Sequence, residues 1–169
     1  VGVSYQVFDN FLLPKDFNQI KNTVCDPRFP WGYSSSIATE ISTGPYDFQF
    51  VHMFFQDHRV ISEYFESIYP LIKKIDPGAL VRVKANLVTR NPVSVESGYH
   101  TDFEDALLLK SAVYYLDTTD GVTRFEDGTE VECVENRLLV FNNNMSHTST
   151  SCTDQKVRRV INLNYYELI

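Results

Sequence analysis

The hexapeptide Gly98-Tyr99-His100-Thr101-Asp102-Phe103 carries a histidine and an aspartate two residues apart. In an extended chain that spacing sends both side chains to the same face, where they can share one ligand. A second histidine, His147, follows the apolar run Leu138 to Phe141 across the polar turn Asn142-Asn143-Asn144-Met145-Ser146. Two imidazoles and one carboxylate on one side of a metal leave the opposite positions open for a bidentate cosubstrate and O2. That donor set favours Fe(II) over ions held by thiolates or by oxygens alone. His100, Asp102 and His147 are therefore the expected catalytic metal ligands.

A His-x-Asp pair alone is a weak signal, and it gains weight from a basic strand downstream. Arg158 lies eleven residues after His147 in the run Val157-Arg158-Arg159-Val160-Ile161-Asn162-Leu163-Asn164-Tyr165. On a strand, Arg158, Val160, Asn162 and Asn164 share one face and Arg159, Ile161, Leu163 and Tyr165 the other. The apolar face belongs against a packing layer, and the polar face suits a wet cavity. Arg158 is thus expected to point inward, where its planar fork matches a carboxylate as a lysine cannot. Arg159 is the expected surface charge.

The elements that must position these groups fall into two halves. Pro14 to Val24 reads as a helix with Phe17, Ile20 and Val24 on one face. Asp26 to Pro45 reads as loop. Val51 to Ile75 has apolar residues at helical spacing, including Ile61, Tyr64, Phe65, Ile68 and Leu71, and predicts one helix ended by Asp76-Pro77-Gly78. From residue 80 onward, short apolar or alternating runs predict strands over Leu80 to Thr89, Ala106 to Leu116, Gly128 to Val134, Arg137 to Phe141 and Val157 to Tyr166. Asp120-Gly121 and Asp127-Gly128 are hairpin-type dipeptides, which favour antiparallel neighbours. The expectation is one domain over 1–169, with a helical and loop part over 1–79 and a jelly-roll core over 80–169.

Composition narrows the function classes. A formal charge of −7 is the wrong sign for gripping a phosphate backbone, so nucleic acid is not the expected partner. No apolar run is long enough for a membrane span. Cys25, Cys133 and Cys152 are odd in number and form no CxxC pair; they read as small buried residues in a reducing, cytoplasmic setting. His52 and His58 have no metal-spaced partner and read as structural or surface residues.

Taken in order, these segments resemble the 2-oxoglutarate and Fe(II)-dependent dioxygenases, especially the small prolyl-hydroxylase-like members. The resemblance runs from Val81 to Tyr166: a strand like Val83-Lys84-Ala85-Asn86-Leu87, His100-x-Asp102, a strand like Ala112 to Asp117, Gly121-x-Thr123-x-Phe125, Leu139-Val140-Phe141, His147 and Arg158. The opening Val7 to Leu12 followed by a helix is similar to the start of those domains. The resemblance implies a mainly β (α+β) double-stranded β-helix with the N-terminal helices packed on its larger sheet. It also implies iron at His100, Asp102 and His147, 2-oxoglutarate at Arg158, and O2 as the oxidant. The reaction implied couples decarboxylation of 2-oxoglutarate, to succinate and CO2, with hydroxylation of a peptide or small-molecule substrate.

Further candidates rest on facing and loop position. Asn86, on the face of Arg82 and Lys84, together with Tyr99 and Tyr114, are candidates to support the cosubstrate. Trp31, Tyr33, Arg90 and Arg124 are candidates to border the substrate opening. Gly121-Val122 stands where prolyl-hydroxylase-like members often have two glycines, and many prolyl hydroxylases use lysine in place of Arg158. The resemblance therefore extends to the machinery and not to the substrate pocket. Two other readings compete: a jelly-roll binding module without redox activity, and a cupin-like enzyme using another divalent metal.

Overall fold

The architecture comes from a computed structural model that describes residues 5–38, 44–104, 106 and 108–168. Eleven strands and two α-helices are present among the described residues. The N-terminal part contributes β1 (Tyr5–Phe8), α1 (Pro14–Val24), β2 (Gly32–Ser34), β3 (Gln49–Gln56), β4 (Arg59–Val60), a 3-10 turn (Phe65–Ile68) and α2 (Tyr69–Ile75). The remainder contributes β5 (Ala79–Thr89), β6 (Leu109–Tyr115), β7 (Val122–Phe125), β8 (Glu130–Glu132), β9 (Leu138–Asn142), β10 (His147–Ser149) and β11 (Val157–Tyr166). The large antiparallel sheet runs β1-β9-β6-β11-β5-β3-β2, with β4 paired to β3, and the small sheet runs β10-β7-β8. Isolated bridges Glu96↔Thr150 and His100↔His147 lay the segment before β6 along the free side of β10. Two antiparallel sheets folded over each other in this way form a jelly roll.

Alternation along the long strands separates two apolar clusters. Ile161, Leu163 and Tyr165 of β11, Val83 and Ala85 of β5 and Ala112 and Tyr114 of β6 pack outward against Phe17, Ile20 and Val24 of α1 and Leu71 and Ile72 of α2. Phe17 meets the Tyr114 ring edge-on at 6.3 Å. Each of the Val, Leu, Ile and Phe side chains among these, taken from water, stabilises the fold by about 1.5–3 kcal/mol. The intervening residues Val113, Tyr115, Leu139, Phe141 and Val160 turn inward and meet Phe125 and Val131 of the small sheet. This second cluster fills only part of the space between the sheets, and the site occupies the rest.

Helix α1 starts with Pro at its first position, carries Asp16 in its first turn and ends in the Cys25-Asp26-Pro27 turn. The single helix expected over Val51 to Ile75 is not what forms: β3 and β4 occupy its first half, and only Tyr69–Ile75 is α-helical. The reason lies in the pairing of β3 with β5 and in the turn that follows. Gln49, Val51 and Met53 face the cavity side while His52 and Phe54 face the helices, so the apolar content of 49–56 is satisfied at a period of two. Asp57 and His58 both take positive φ, 52° and 60°, which closes a two-residue hairpin matched to strand twist. Asp76 then ends α2 in the left-handed conformation.

Residues 1–79 are therefore not only helix and loop, because β1, β2 and β3 complete the large sheet. Asp127-Gly128 does turn β7 into β8, with Gly128 at φ +85°. Asp120-Gly121 closes no hairpin, since it carries the chain from β6 in one sheet to β7 in the other. The strand expected over Gly128 to Val134 shortens to Glu130–Glu132, and that over Ala106 to Leu116 to Leu109–Tyr115. The stretch 39–43 of the loop expected over Asp26 to Pro45 lies outside the described residues, as does residue 107. No helix among the described residues is long and apolar enough to cross a membrane.

Candidate active site

His100 and His147 face each other across a backbone bridge in which each N–H donates to the other residue's carbonyl at 3.0 Å. The rings stand 4.6 Å apart, and one ligand atom each from His100, Asp102 and His147 lie within 4.8 Å of one another. Nδ1 of His100 sits 3.2 Å from the Gly98 carbonyl and Nδ1 of His147 sits 3.1 Å from the Met145 carbonyl. A carbonyl can only accept, so both rings carry their proton on Nδ1 and present the Nε2 lone pair. Burial lowers the His147 pKa, against the pull of Asp102, which keeps this imidazole in the neutral form a metal requires.

Asp102 is held by three donors from three elements. Arg82 on β5 donates to Oδ1 at 3.1 Å, while Ser111 on β6 and Asn164 on β11 donate to Oδ2 at 2.7 and 2.8 Å. Burial pushes this carboxyl up, but the charge on Arg82, the hydrogen bonds from Asn164 and Ser111 and, whenever it is protonated, His147 overcome it and hold the group at about 2. Arg82 is itself fixed by the Asn164 amide oxygen at 3.1 Å and by the Phe103 ring beneath it at 4.6 Å. Such surrounding bonds fix the direction in which a carboxylate meets a metal.

At the other end of the same cavity lies Arg158, 3 % exposed. It makes no ion pair among the described residues, and its buried Nε has no hydrogen-bond partner. One Nη donates to Thr123 Oγ1 at 3.3 Å, and Tyr115 donates to the same oxygen at 2.8 Å while its ring lies 5.7 Å below the guanidinium. Gly121 makes room for this arrangement, since a Cβ there would sit 2.9 Å from Arg158 Cδ. Arg159 faces the other way and forms a paired fork with Asp117, 2.8 and 2.9 Å. Triad and arginine line one cavity.

The remaining sequence candidates divide. Asn86 lines the cavity, donating to Gln49 Oε1 at 2.6 Å and leaving its own buried Oδ1 without a partner. Tyr99 is exposed and outside the lining, because the residue beside His100 on an extended segment points away from it. Tyr114 also misses the cavity: it lies on the helix-facing side of β6 and donates to Asn136 Oδ1 at 2.7 Å. The inward tyrosine is Tyr115, one residue on. Trp31 packs with Phe29 against the helix-side core, Tyr33 lies against Phe48 and Phe50 at the sheet edge, and Arg124 is bound to Glu96 and Glu130 on the small sheet. None of these, nor Arg90, lines the cavity.

Sequence reasoning missed the roles of Arg82, Ser111, Asn164, Thr123 and Tyr115. Inward alternation was the available signal for Arg82 and Asn164, but their partner Asp102 is remote in sequence. Also unassigned was Lys84, which lines the cavity between Arg82 and Asn86; burial, with Arg82 adding and Asp102 opposing, pulls its amine down to about 8. His52 bonds to the Pro30 carbonyl and to Ser62 Oγ, both at 2.7 Å, in an aromatic cluster away from the triad. Cys133 and Cys152 are buried, Cys25 is half-buried, and all three are free thiols.

No protein-family profile and no curated protein sequence matches the chain. Solved structures do. A prolyl hydroxylase from Trichoplax adhaerens, in complex with a hypoxia inducible factor oxygen degradation domain peptide fragment, superposes with a TM-score of 0.71 at 14% identity, over 97% of this chain and 84% of that one. A 2OG-Fe(II) oxygenase family oxidoreductase from Burkholderia pseudomallei gives 0.72 at 12% identity, over 96% and 85%. The chain has their fold. HygX from Streptomyces hygroscopicus, with nickel and 2-oxoglutarate bound, shares it too, at 0.64 and 10% identity over 98% and 84%. Against these structures the β-helix and its two sheets span nearly the whole of this chain.

Proposed function

We propose that this protein is a 2-oxoglutarate-dependent Fe(II) oxygenase that hydroxylates a peptide or small-molecule substrate. The observation that carries this reading is a buried guanidinium with no acid partner among the described residues, in one cavity with two Nε2-presenting imidazoles and an anchored carboxylate. An uncompensated buried charge is costly, and a dicarboxylate cosubstrate supplies the missing partner. The fold supports the reading, as does the acidic net charge, which disfavours a nucleic-acid substrate.

In this reading His100, His147 and Asp102 hold the iron, which when bound supplies the open coordination positions and the redox chemistry. Arg82, Ser111 and Asn164 keep the Asp102 oxygen aimed at it. Arg158 takes the distal carboxylate of 2-oxoglutarate as a fork, and Thr123, braced by Tyr115, sets the angle of that fork. Val88, Val113 and Val160 wall the space between and keep water from the reacting carbon.

The test is anaerobic addition of Fe(II) and then 2-oxoglutarate to metal-free protein, read as the visible charge-transfer band of a chelated keto acid. The expected result is a band in the wild type, none in His100→Ala, and succinate formation once O2 is admitted. A wild type that binds no Fe(II) and gives no band returns the binding-module reading, and a divalent-metal site without succinate returns the cupin-like one.

A further inference from the structure

One charged group in the cavity has no task in holding the iron or the cosubstrate. The inner face of β5 presents Arg82, Lys84 and Asn86 in succession. Arg82 is committed to Asp102, and the two charges cancel. The Lys84 ammonium has no hydrogen-bond or ion-pair partner among the described residues, although it shares a half-buried cavity wall with the triad. Next to it, the buried Oδ1 of Asn86 also lacks a partner. An unpaired cation beside an unpaired acceptor is an expensive arrangement in a folded protein, and a ligand that satisfies both removes the cost.

Position separates this pair from the cosubstrate seat. Arg158 stands opposite Val88 and Asn162 stands opposite Lys84, so the two cations are four residues apart along β5, roughly 13 Å of strand. Lys84 also lines a second, more open cavity, together with Ser36, Val51, Met53, Gln56 and Phe103. It therefore forms the threshold between that outer cavity and the triad. With Arg158 taken by the cosubstrate, a molecule that passes this threshold meets one positive charge not already cancelled, which calls for one negative charge.

We infer that the substrate enters through the outer cavity and carries a carboxylate, which Lys84 receives while Asn86 Oδ1 accepts an N–H close to it. Lys84 is thus a specificity-determining residue, and the substrate class is an N-acylated acid or an acidic residue within a peptide. The inference rests on the oxygenase reading and names the substrate of that same site.

The test uses wild-type protein loaded anaerobically with Fe(II) and 2-oxoglutarate, so that binding is seen without turnover. It is equilibrated with a defined mixture of N-acetylglutamate, N-acetylglutamine, N-acetylaspartate, N-acetylasparagine and capped tripeptides with the same four residues at the centre. The bound fraction is quantified by mass spectrometry. Each retained acid is expected to exceed its amide by about 10-fold, as one charge-assisted hydrogen bond provides. Lys84→Met should bring the ratio to about one, and Lys84→Arg should preserve it. Equal retention of acid and amide, or retention of neither, overturns the inference. So does a Lys84→Met protein whose keto-acid band shows weakened 2-oxoglutarate binding with the acid preference intact, which would assign Lys84 to the cosubstrate. Absence of that band in the wild type sinks the oxygenase reading itself; a normal band with no acid preference sinks only the role of Lys84.

Discussion

The two faces of strand β11 put unlike chemistry on a single run of backbone. Ile161, Leu163 and Tyr165 enter a cluster roofed by both helices, while Arg158 and Asn162 line a cavity that also holds the triad and Asn164 bonds to Asp102. The apolar face gains free energy from every side chain it removes from water. The polar face is worth having only when each group finds a partner, and there Asn164 has Asp102 while Arg158 Nε has none. Stability and ligand recognition are thus divided between odd- and even-numbered residues of the same strand, and a change on one face should leave the property of the other largely intact.

The hardest test of that division pairs Leu163→Ala with Arg158→Met. The first leaves a void in the helix-side core and should lower the unfolding free energy by about 2–5 kcal/mol in urea titrations, while the folded fraction still gives the keto-acid band. The second should keep iron binding and stability and weaken 2-oxoglutarate by about 30-fold or more in band titrations, the usual cost of truncating one partner of a buried charge pair. Loss of 2-oxoglutarate binding by folded Leu163→Ala would mean that the two faces are coupled.

A smaller effect is expected from Gly121→Ala, which touches Arg158 without altering it. The added methyl would stand 2.9 Å from Arg158 Cδ and 3.1 Å from the Thr150 carbonyl, so overpacking of about 1–3 kcal/mol must be relieved by moving the side chain. Calorimetric titration should show 2-oxoglutarate affinity falling while Fe(II) affinity stays. An unchanged cosubstrate affinity would separate Arg158 from that role.

The finest test compares neighbouring tyrosines on β6. Tyr114→Phe and Tyr115→Phe each remove one buried hydroxyl bond, worth about 1 kcal/mol. Tyr114→Phe should register in thermal stability alone, because its partner Asn136 also ties down Leu12 at the start of α1. Tyr115→Phe should in addition shift 2-oxoglutarate affinity, because it releases the Thr123 hydroxyl that Arg158 contacts. Equal shifts in cosubstrate affinity would contradict the facing of the two rings.

Legibility in the sequence tracks the range of the interactions. A strand of period two determined which arginine shares a face with Asn162 and Asn164, and His100-x-Asp102 obeys the same rule, because alternation is a property of local backbone geometry. Helix α1 was legible for a similar reason, with Pro14 and the Phe17, Ile20, Val24 spacing all local. The segment 51–75 was not, since its aromatics fit both periods and only pairing with β5 and the Asp57-His58 turn select the strand. Tyr114, expected beside the cosubstrate, was the wrong one of two neighbouring tyrosines, because two aromatics in succession supply a hydroxyl to either face and only the sheet register selects Tyr115.

The sequence by itself determined the spacing of His100 and Asp102 and the alternation that carries Arg158 inward, both consequences of residue type and local geometry. Tertiary structure alone decided that Arg82, Ser111 and Asn164 converge on Asp102, that Gly121 clears space for Arg158, and that Lys84 stands between two cavities with no partner among the described residues. The reason is physical: those relations join residues up to 62 positions apart, and their distances exist only after sheet closure has brought β5, β6 and β11 side by side.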